Sequence, residues 1–144
     1  LILCEIDYFK FYNDAHSYAA GDATLQRIAK IIHDSVKHPD ALVARYGGTM
    51  FAALLPQTNT DIAVAIAQSI RESVKALAIA HDRLNFDGFP APVITVSLGV
   101  ATMMPSLQAS PTILTSAAQE ALAQSKREGR DRVTLYQQAV GKQK

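Results

Sequence analysis

The sequence predicts an α+β fold, an α/β sandwich in which helices flank a mixed central β-sheet. Three observations predict it. Two adjacent glycines, Gly47-Gly48, separate the apolar runs Ala41-Leu42-Val43-Ala44 and Phe51-Ala52-Ala53-Leu54-Leu55, a hairpin signal. Stripes at helical spacing lie on either side of it: Leu25, Ile28, Ala29, Ile32 and Val36, then Ala63, Ile66, Ala67, Ile70, Val74 and Leu77. Two further runs, Leu1 to Asp7 and Val93 to Val100, read as strong strands, the first of them central and buried. A hairpin set between helical crossovers gives a sheet of mixed sense.

The elements follow in order. Leu1-Ile2-Leu3-Cys4-Glu5-Ile6-Asp7 is a central strand with no initiator Met before it, so the chain is expected to be a fragment of a longer protein. Residues 8–14 form a short helix or turn, and His16 to Gly21 a connector. The next helix starts at Asp22, a residue type suited to capping, and Pro39 ends it. In the hairpin, Gly47 and Gly48 are expected to supply positive φ, and Pro56 closes the second arm. A long helix spans about 59–79, and residues 81–92 are a loop rich in Asp, Asn, Gly and Pro. After the strand at 93–100, Ser110-Pro111 marks a helix start that runs to Gly129. Val133 to Tyr136 is the last strand, and the tail 139–144 frays. The order is β-α-α-β-β-α-β-α-β, in one domain over 1–138.

Bulk composition narrows the function. Fourteen Lys and Arg against thirteen Asp and Glu leave +1, so no basic field points to nucleic acid or a membrane surface. A single cysteine, Cys4, forms no internal disulfide and favours a cytoplasmic location. No apolar run reaches the roughly 18 residues of a membrane span, and no signal peptide is visible.

Four clusters carry polar groups suited to chemistry. Glu5 and Asp7, at i and i+2 on one strand face with the Ile6 carbonyl between them, offer oxygen ligands of the kind Mg²⁺ takes; strand-end polarity is the other reading. In Tyr8-Phe9-Lys10-Phe11-Tyr12-Asn13-Asp14, with Gly21-Asp22 further on, Asn13 and Asp22 can read a guanine edge or act as caps, and the aromatics can stack on a base or fill the core. Lys126 and Arg130 share a helix face at i and i+4, where they can grip phosphates or complement the helix C-terminus, with Gly129 as its cap. The fourth cluster is the hairpin turn, Gly47-Gly48-Thr49-Met50.

In order and spacing these motifs resemble the GGDEF family, the diguanylate cyclase domains of bacterial cyclic di-GMP signalling. Glu5-Ile6-Asp7-Tyr8-Phe9-Lys10 is similar to the family's Asp-x-Asp-x-Phe-Lys. Asn13-Asp14, Gly21-Asp22, Arg45-Tyr46-Gly47-Gly48, Thr95-Val96-Ser97-Leu98-Gly99-Val100-Ala101 and Lys126 to Arg130 match its remaining motifs, across essentially the whole chain. The resemblance implies the nucleotide-cyclase fold, of palm or ferredoxin-like type. It implies a chemistry in which two facing domains each hold a GTP and two metal ions assist attack of one 3′-hydroxyl on the other α-phosphate. It assigns metal to Glu5, the Ile6 carbonyl and position 49. It assigns guanine contacts to Asn13 and Asp22, and phosphate contacts to Lys126, Arg130 and the backbone near Tyr8 and Phe9, with Lys10 beside them.

The chain departs from that pattern at its signature turn. The family's Gly-Gly-Asp/Glu-Glu-Phe is here Gly47-Gly48-Thr49-Met50-Phe51, so both acids are missing. Glu5 stands where an Asp is usual, Ser17-Tyr18 where Gly-His is usual, and Asp131 where Asn is usual. His38 and Ala41 occupy the ends of the family's Arg-x-x-Asp inhibitory site, which is expected to be absent. The expectation is a degenerate cyclase domain with weak or absent Mg²⁺ binding. It is expected to bind GTP or cyclic di-GMP and to regulate an attached domain of the same chain, with a homodimer as a further partner state. An active cyclase, and an interaction module that binds no nucleotide, stay open as alternatives.

Overall fold

The computed structural model describes residues 1–81 and 92–137. Five strands and four helices are present among them: β1 (Ile2–Ile6), α1 (Phe9–Ala15), α2 (Tyr18–Ser35), β2 (Leu42–Gly47), β3 (Met50–Leu54), α3 (Thr60–Ala76), β4 (Val96–Val100), α4 (Pro111–Arg127) and β5 (Val133–Leu135). The order is the predicted one. The expected loop at 81–92, apart from its two ends, and the expected frayed tail at 139–144 lie outside the described residues.

The sheet order is β2-β3-β1-β4-β5. β1 runs antiparallel to both neighbours, with Glu5 opposite Met50 on β3 and opposite Ser97 on β4. The β4–β5 pair is parallel, so the sheet is mixed. β1 is covered on both faces, which is why its sequence is a continuous apolar run rather than an alternating one. Ile2, Cys4 and Ile6 join the larger core with α2 and α3, while Leu3 meets Leu122 and Ala118 of α4 on the other face.

Gly99 sets the distance between α4 and the sheet. A Cβ there would lie 2.3 Å from both the Ala118 carbonyl oxygen and the Leu122 nitrogen, so only glycine admits the helix backbone this closely. Ser125, buried on the same helix, donates from Oγ to the Leu98 carbonyl at 2.7 Å and sits 2.6 Å from Thr134 Oγ1. These polar contacts fix the height of α4, and so the position of its C-terminal cations.

Four expectations are corrected. The connector at 16–21 is mostly helix, because α2 begins at Tyr18. Its cap is Ser17, whose Oγ accepts from the Ala20 N–H at 3.1 Å; Asp22 lies inside the helix and is exposed. The strand expected from Val93 begins at Val96, because Val93 instead bridges Ala80 and Ile94 donates its N–H to the Ile79 carbonyl. Neither hairpin glycine has the positive φ expected of it, since the turn is taken up by a register shift between Arg45 and Gly47. Arg45 Nε and Nη2 brace that turn by donating to the Gly48 carbonyl at 3.1 and 2.6 Å.

The end of α4 is as the sequence predicts. Gly129, at φ 112°, is the residue after the C-cap. The Arg130 N–H donates to the Ser125 carbonyl at 2.9 Å and the Gly129 N–H to the Lys126 carbonyl at 3.5 Å, which together form a Schellman closure.

Candidate functional site

β1 ends at a cavity of about 290 Å³, roofed by the hairpin turn and walled by the C-terminal end of α4. The cavity gathers Glu5, Tyr8, Lys10, Thr49, Lys126 and Arg130, residues separated by up to 125 positions in the chain. Lys126 reaches from α4 to form an ion pair with Glu5. Thr49 Oγ1 donates to Glu5 Oε1 at 3.5 Å from the opposite side. Glu5 is therefore held between a cation and a hydroxyl.

Arg130 is placed by backbone strain and by an aromatic ring. Gly129, Arg130 and Asp131 all have positive φ, an arrangement costly for the two that carry side chains. The turn carries the Arg130 guanidinium over the Tyr8 ring, 4.4 Å from its centroid, with Nη1 donating to the Tyr8 hydroxyl at 3.0 Å. Tyr8 is itself left-handed, at φ 53°, and its carbonyl lies 3.2 Å from Nε2 of the buried His81.

Asp7 holds this turn. Its Oδ1 accepts from Ser97 Oγ at 2.7 Å, and its Oδ2 from Thr95 Oγ1 at 2.8 Å and the Asp131 N–H at 3.2 Å. Burial raises the pKa of this carboxyl above its ordinary value; the three hydrogen bonds and the Arg130 charge oppose that rise in part. Asp131 is gripped in turn from α3, by Arg71 Nε at 3.0 Å and Lys75 Nζ at 2.6 Å. Asp7 is thus a buried anchor in the cavity lining, with both of its oxygens engaged. Cys4 supplies no nucleophile, since burial and then the charges of Asp7 and Glu5 push its thiol far up.

The two proposed guanine readers lie elsewhere. Asn13 and Asp22 do not line the cavity but sit at the corner between α1 and α2. Asn13 Oδ1 is buried with no hydrogen-bond partner among the described residues, tucked where a side chain on Gly21 would have to be. An orphaned buried carbonyl is costly, and a ligand donor would satisfy it. The hairpin shows a matching vacancy, because a Cβ on Gly47 or Gly48 would meet nothing within 4 Å. That open space leaves bare backbone for a ligand to approach.

A family model described as the diguanylate cyclase GGDEF domain matches residues 1–132. The chain is a GGDEF domain. Diguanylate cyclase A of Treponema denticola is 37% identical over 135 residues, covering 94% of this chain and 34% of that protein. Diguanylate cyclase DgcM of Escherichia coli K12 is 35% identical, covering 92% of this chain and 30% of its own length. The chain thus spans about a third of the length of these relatives. Among solved structures, the GGDEF domain of DgcB from Caulobacter crescentus, in complex with c-di-GMP, superimposes with a TM-score of 0.80 at 32% identity. That match covers 94% of this chain and 75% of the other. The mixed sheet and flanking helices described above are the palm-like cyclase fold of those domains.

This GGDEF domain brings together Glu5, Ile6, Tyr8, Phe9, Lys10, Thr49, Lys126 and Arg130 at one cavity. The Phe9 side chain is a core residue, stacked on Tyr12 at 5.8 Å, so only its backbone can serve a ligand. At the expected inhibitory position, His38 Nδ1 accepts from the Asp40 N–H at 3.2 Å and closes a local turn. The anchoring contacts of Asp7 and the seat of Arg130 on Tyr8 escape sequence reading, because they join positions about 90 to 124 residues apart. The one local signal was Lys126 and Arg130 on a shared face.

The Mg²⁺ that the resemblance implies can be tested against these donors. Mg²⁺ takes near-octahedral oxygen ligands and gives up its waters reluctantly. The site offers two carboxylates, one carbonyl and one hydroxyl; Glu5 is already paired with Lys126, and both Asp7 oxygens already accept hydrogen bonds from Ser97, Thr95 and the Asp131 N–H. Among the described residues no three His, Cys, Asp or Glu side chains converge. These residues do not fit a preformed divalent-metal site.

Proposed function

We propose that this GGDEF domain is a guanine-nucleotide-binding regulatory domain of cyclic di-GMP signalling with impaired cyclase chemistry. In this reading GTP or cyclic di-GMP occupies the cavity, and occupancy is passed to another domain of a longer chain. The observation that carries it is a division within one site. The phosphate-facing cations Lys126, Arg130 and Lys10 surround the cavity, while the turn above it presents Thr49 rather than an acid. Binding machinery is retained where catalytic charge is missing.

The magnitude supports impairment. A unit charge pair at about 4 Å is worth roughly 4 kcal/mol at an effective dielectric of 20. Each 1.36 kcal/mol of barrier is about tenfold in rate, so losing a metal-ligating carboxylate costs on the order of a thousandfold. The c-di-GMP complex of the DgcB domain supports the ligand class. The share of the relatives' length that this chain spans supports a place within a longer protein.

The test is incubation of the concentrated protein with GTP and Mg²⁺, followed by chromatographic detection of cyclic di-GMP. No product above a no-enzyme control is expected; steady accumulation would show an active cyclase and overturn the impairment. Calorimetry with GTP and with cyclic di-GMP is expected to show binding, weakened in Asn13→Ala by loss of the buried amide. Absence of heat with either ligand would leave an interaction module as the better account.

A further inference from the structure

The poor fit between this site and a divalent metal leads to an inference that rests on the nucleotide-binding reading above. We propose that Lys126 stands in for the metal, so that GTP binds to this domain without Mg²⁺.

In such a pocket the part of a metal is electrostatic. Carboxylates placed near a triphosphate repel it, and a divalent cation held between them converts that repulsion into attraction. The ion is needed in proportion to the negative charge the protein itself brings. In this chain that charge is small. Positions 49 and 50 contribute a hydroxyl and a thioether instead of two acids. Asp7 also lines the cavity, but it is buried, with both oxygens engaged by Ser97, Thr95 and the Asp131 N–H. Glu5 is the remaining carboxylate on the wall, and the Lys126 ammonium is bound to it.

The cations balance differently. Three cations, Lys126, Arg130 and Lys10, line the cavity against two carboxylates, Glu5 and Asp7, both of them already engaged. The pocket is therefore net positive before any ion enters, and a phosphate chain is attracted to it directly. A metal would have to break the Glu5–Lys126 pair and displace a like charge to reach its ligand. Lys126 is two-thirds buried and fixed from α4, whose height is set by Gly99 and Ser125. It is thus a preorganised cation, seated where the resemblance would put a hydrated ion.

Calorimetric titration of the protein with GTP, in buffer containing Mg²⁺ and in buffer containing EDTA, tests this. The dissociation constants are expected to agree within about threefold, a difference under 1 kcal/mol. Weakening by about tenfold or more in EDTA would overturn the inference while leaving the nucleotide-binding reading in place; no heat in either buffer would overturn both. Two variants locate the cause. Lys126→Met is expected to weaken GTP binding at least about tenfold in both buffers, and undiminished affinity would refute the assignment. Thr49→Asp places a carboxylate on the turn and keeps Lys126 in the sequence. It is expected to make binding depend on Mg²⁺, with affinity in EDTA falling about tenfold below that in Mg²⁺; equal affinities would refute the role given to position 49.

Discussion

Asp7 concentrates the residue-scale energetics of the site. Two hydroxyls and a backbone N–H point at one buried carboxyl, so truncation strands three polar groups. Asp7→Ala is expected to cost about 2–4 kcal/mol in urea unfolding, since each unsatisfied buried group costs about 1–3 kcal/mol and partial hydration relieves some of it. The pH dependence has a definite sign. Burial raises the folded-state pKa above the ordinary 3.8, so the native state keeps a proton that the unfolded chain has released. Stability from this group therefore falls as pH rises from near 3.8 through the folded value, and the full cost of ionisation remains above it. The unfolding free energy of Asp7→Asn, which has no proton to lose, is expected to gain on the parent across that window. A constant difference between the two from acid to neutral pH would contradict the assignment.

At the scale of elements, two glycines make a contrast that measures how each helix is seated. Behind Gly99 stands the backbone of α4, which cannot swing aside. Gly99→Ala is expected to cost about 3 kcal/mol, near the upper end for overpacking. Behind Gly21 the nearest atoms belong to the Asn13 side chain, whose Oδ1 lies 1.9 Å from the new Cβ. Gly21→Ala is therefore expected to stay within about 1 kcal/mol of the parent, because Asn13 can rotate away and Ala is the better helix former. Calorimetry would then show its effect in ligand binding rather than in folding. The start of α2 gives a third measure, since Ser17→Ala removes the cap and should destabilise by about 1 kcal/mol in thermal unfolding.

These elements also show what the sequence made legible. Their type and order followed from hydrophobic period and from Gly and Pro punctuation, and Gly129 was readable as a cap. Gly21-Asp22 looks like a helix boundary in the sequence, whereas α2 begins at Tyr18 and Gly21 makes room for Asn13 from another helix. The Gly47-Gly48 turn was located correctly, but its backbone angles were not, because a register shift does the work that positive φ usually does. At the site, spacing offered Glu5, Lys126 and Arg130 separately as candidates, each with a structural alternative. That Lys126 would pair with Glu5, and Arg130 lie on Tyr8, depends on the crossover from β4 to α4, which no local pattern encodes.

For the molecule as a whole, the sheet places β1 between the hairpin and β4, so one strand end feeds the cavity floor, its carboxylate and the α1 approach at once. A domain built this way keeps its architecture with a neutral turn above the cavity. The register of β1 on β3 sets what charge at that turn would cost. Met50 lies directly opposite Glu5 and packs toward Leu3 and Ala101, so an acid at position 50 would set like charges face to face on one rung of the sheet. An acid at 49 would add to the same concentration of charge. The neutral turn is then the lower-energy arrangement on this rung, and placing acids there carries a penalty. Thr49→Asp combined with Met50→Glu is expected to lower the melting temperature by about 2–4 °C, the equivalent of roughly 1 kcal/mol for a chain of this size.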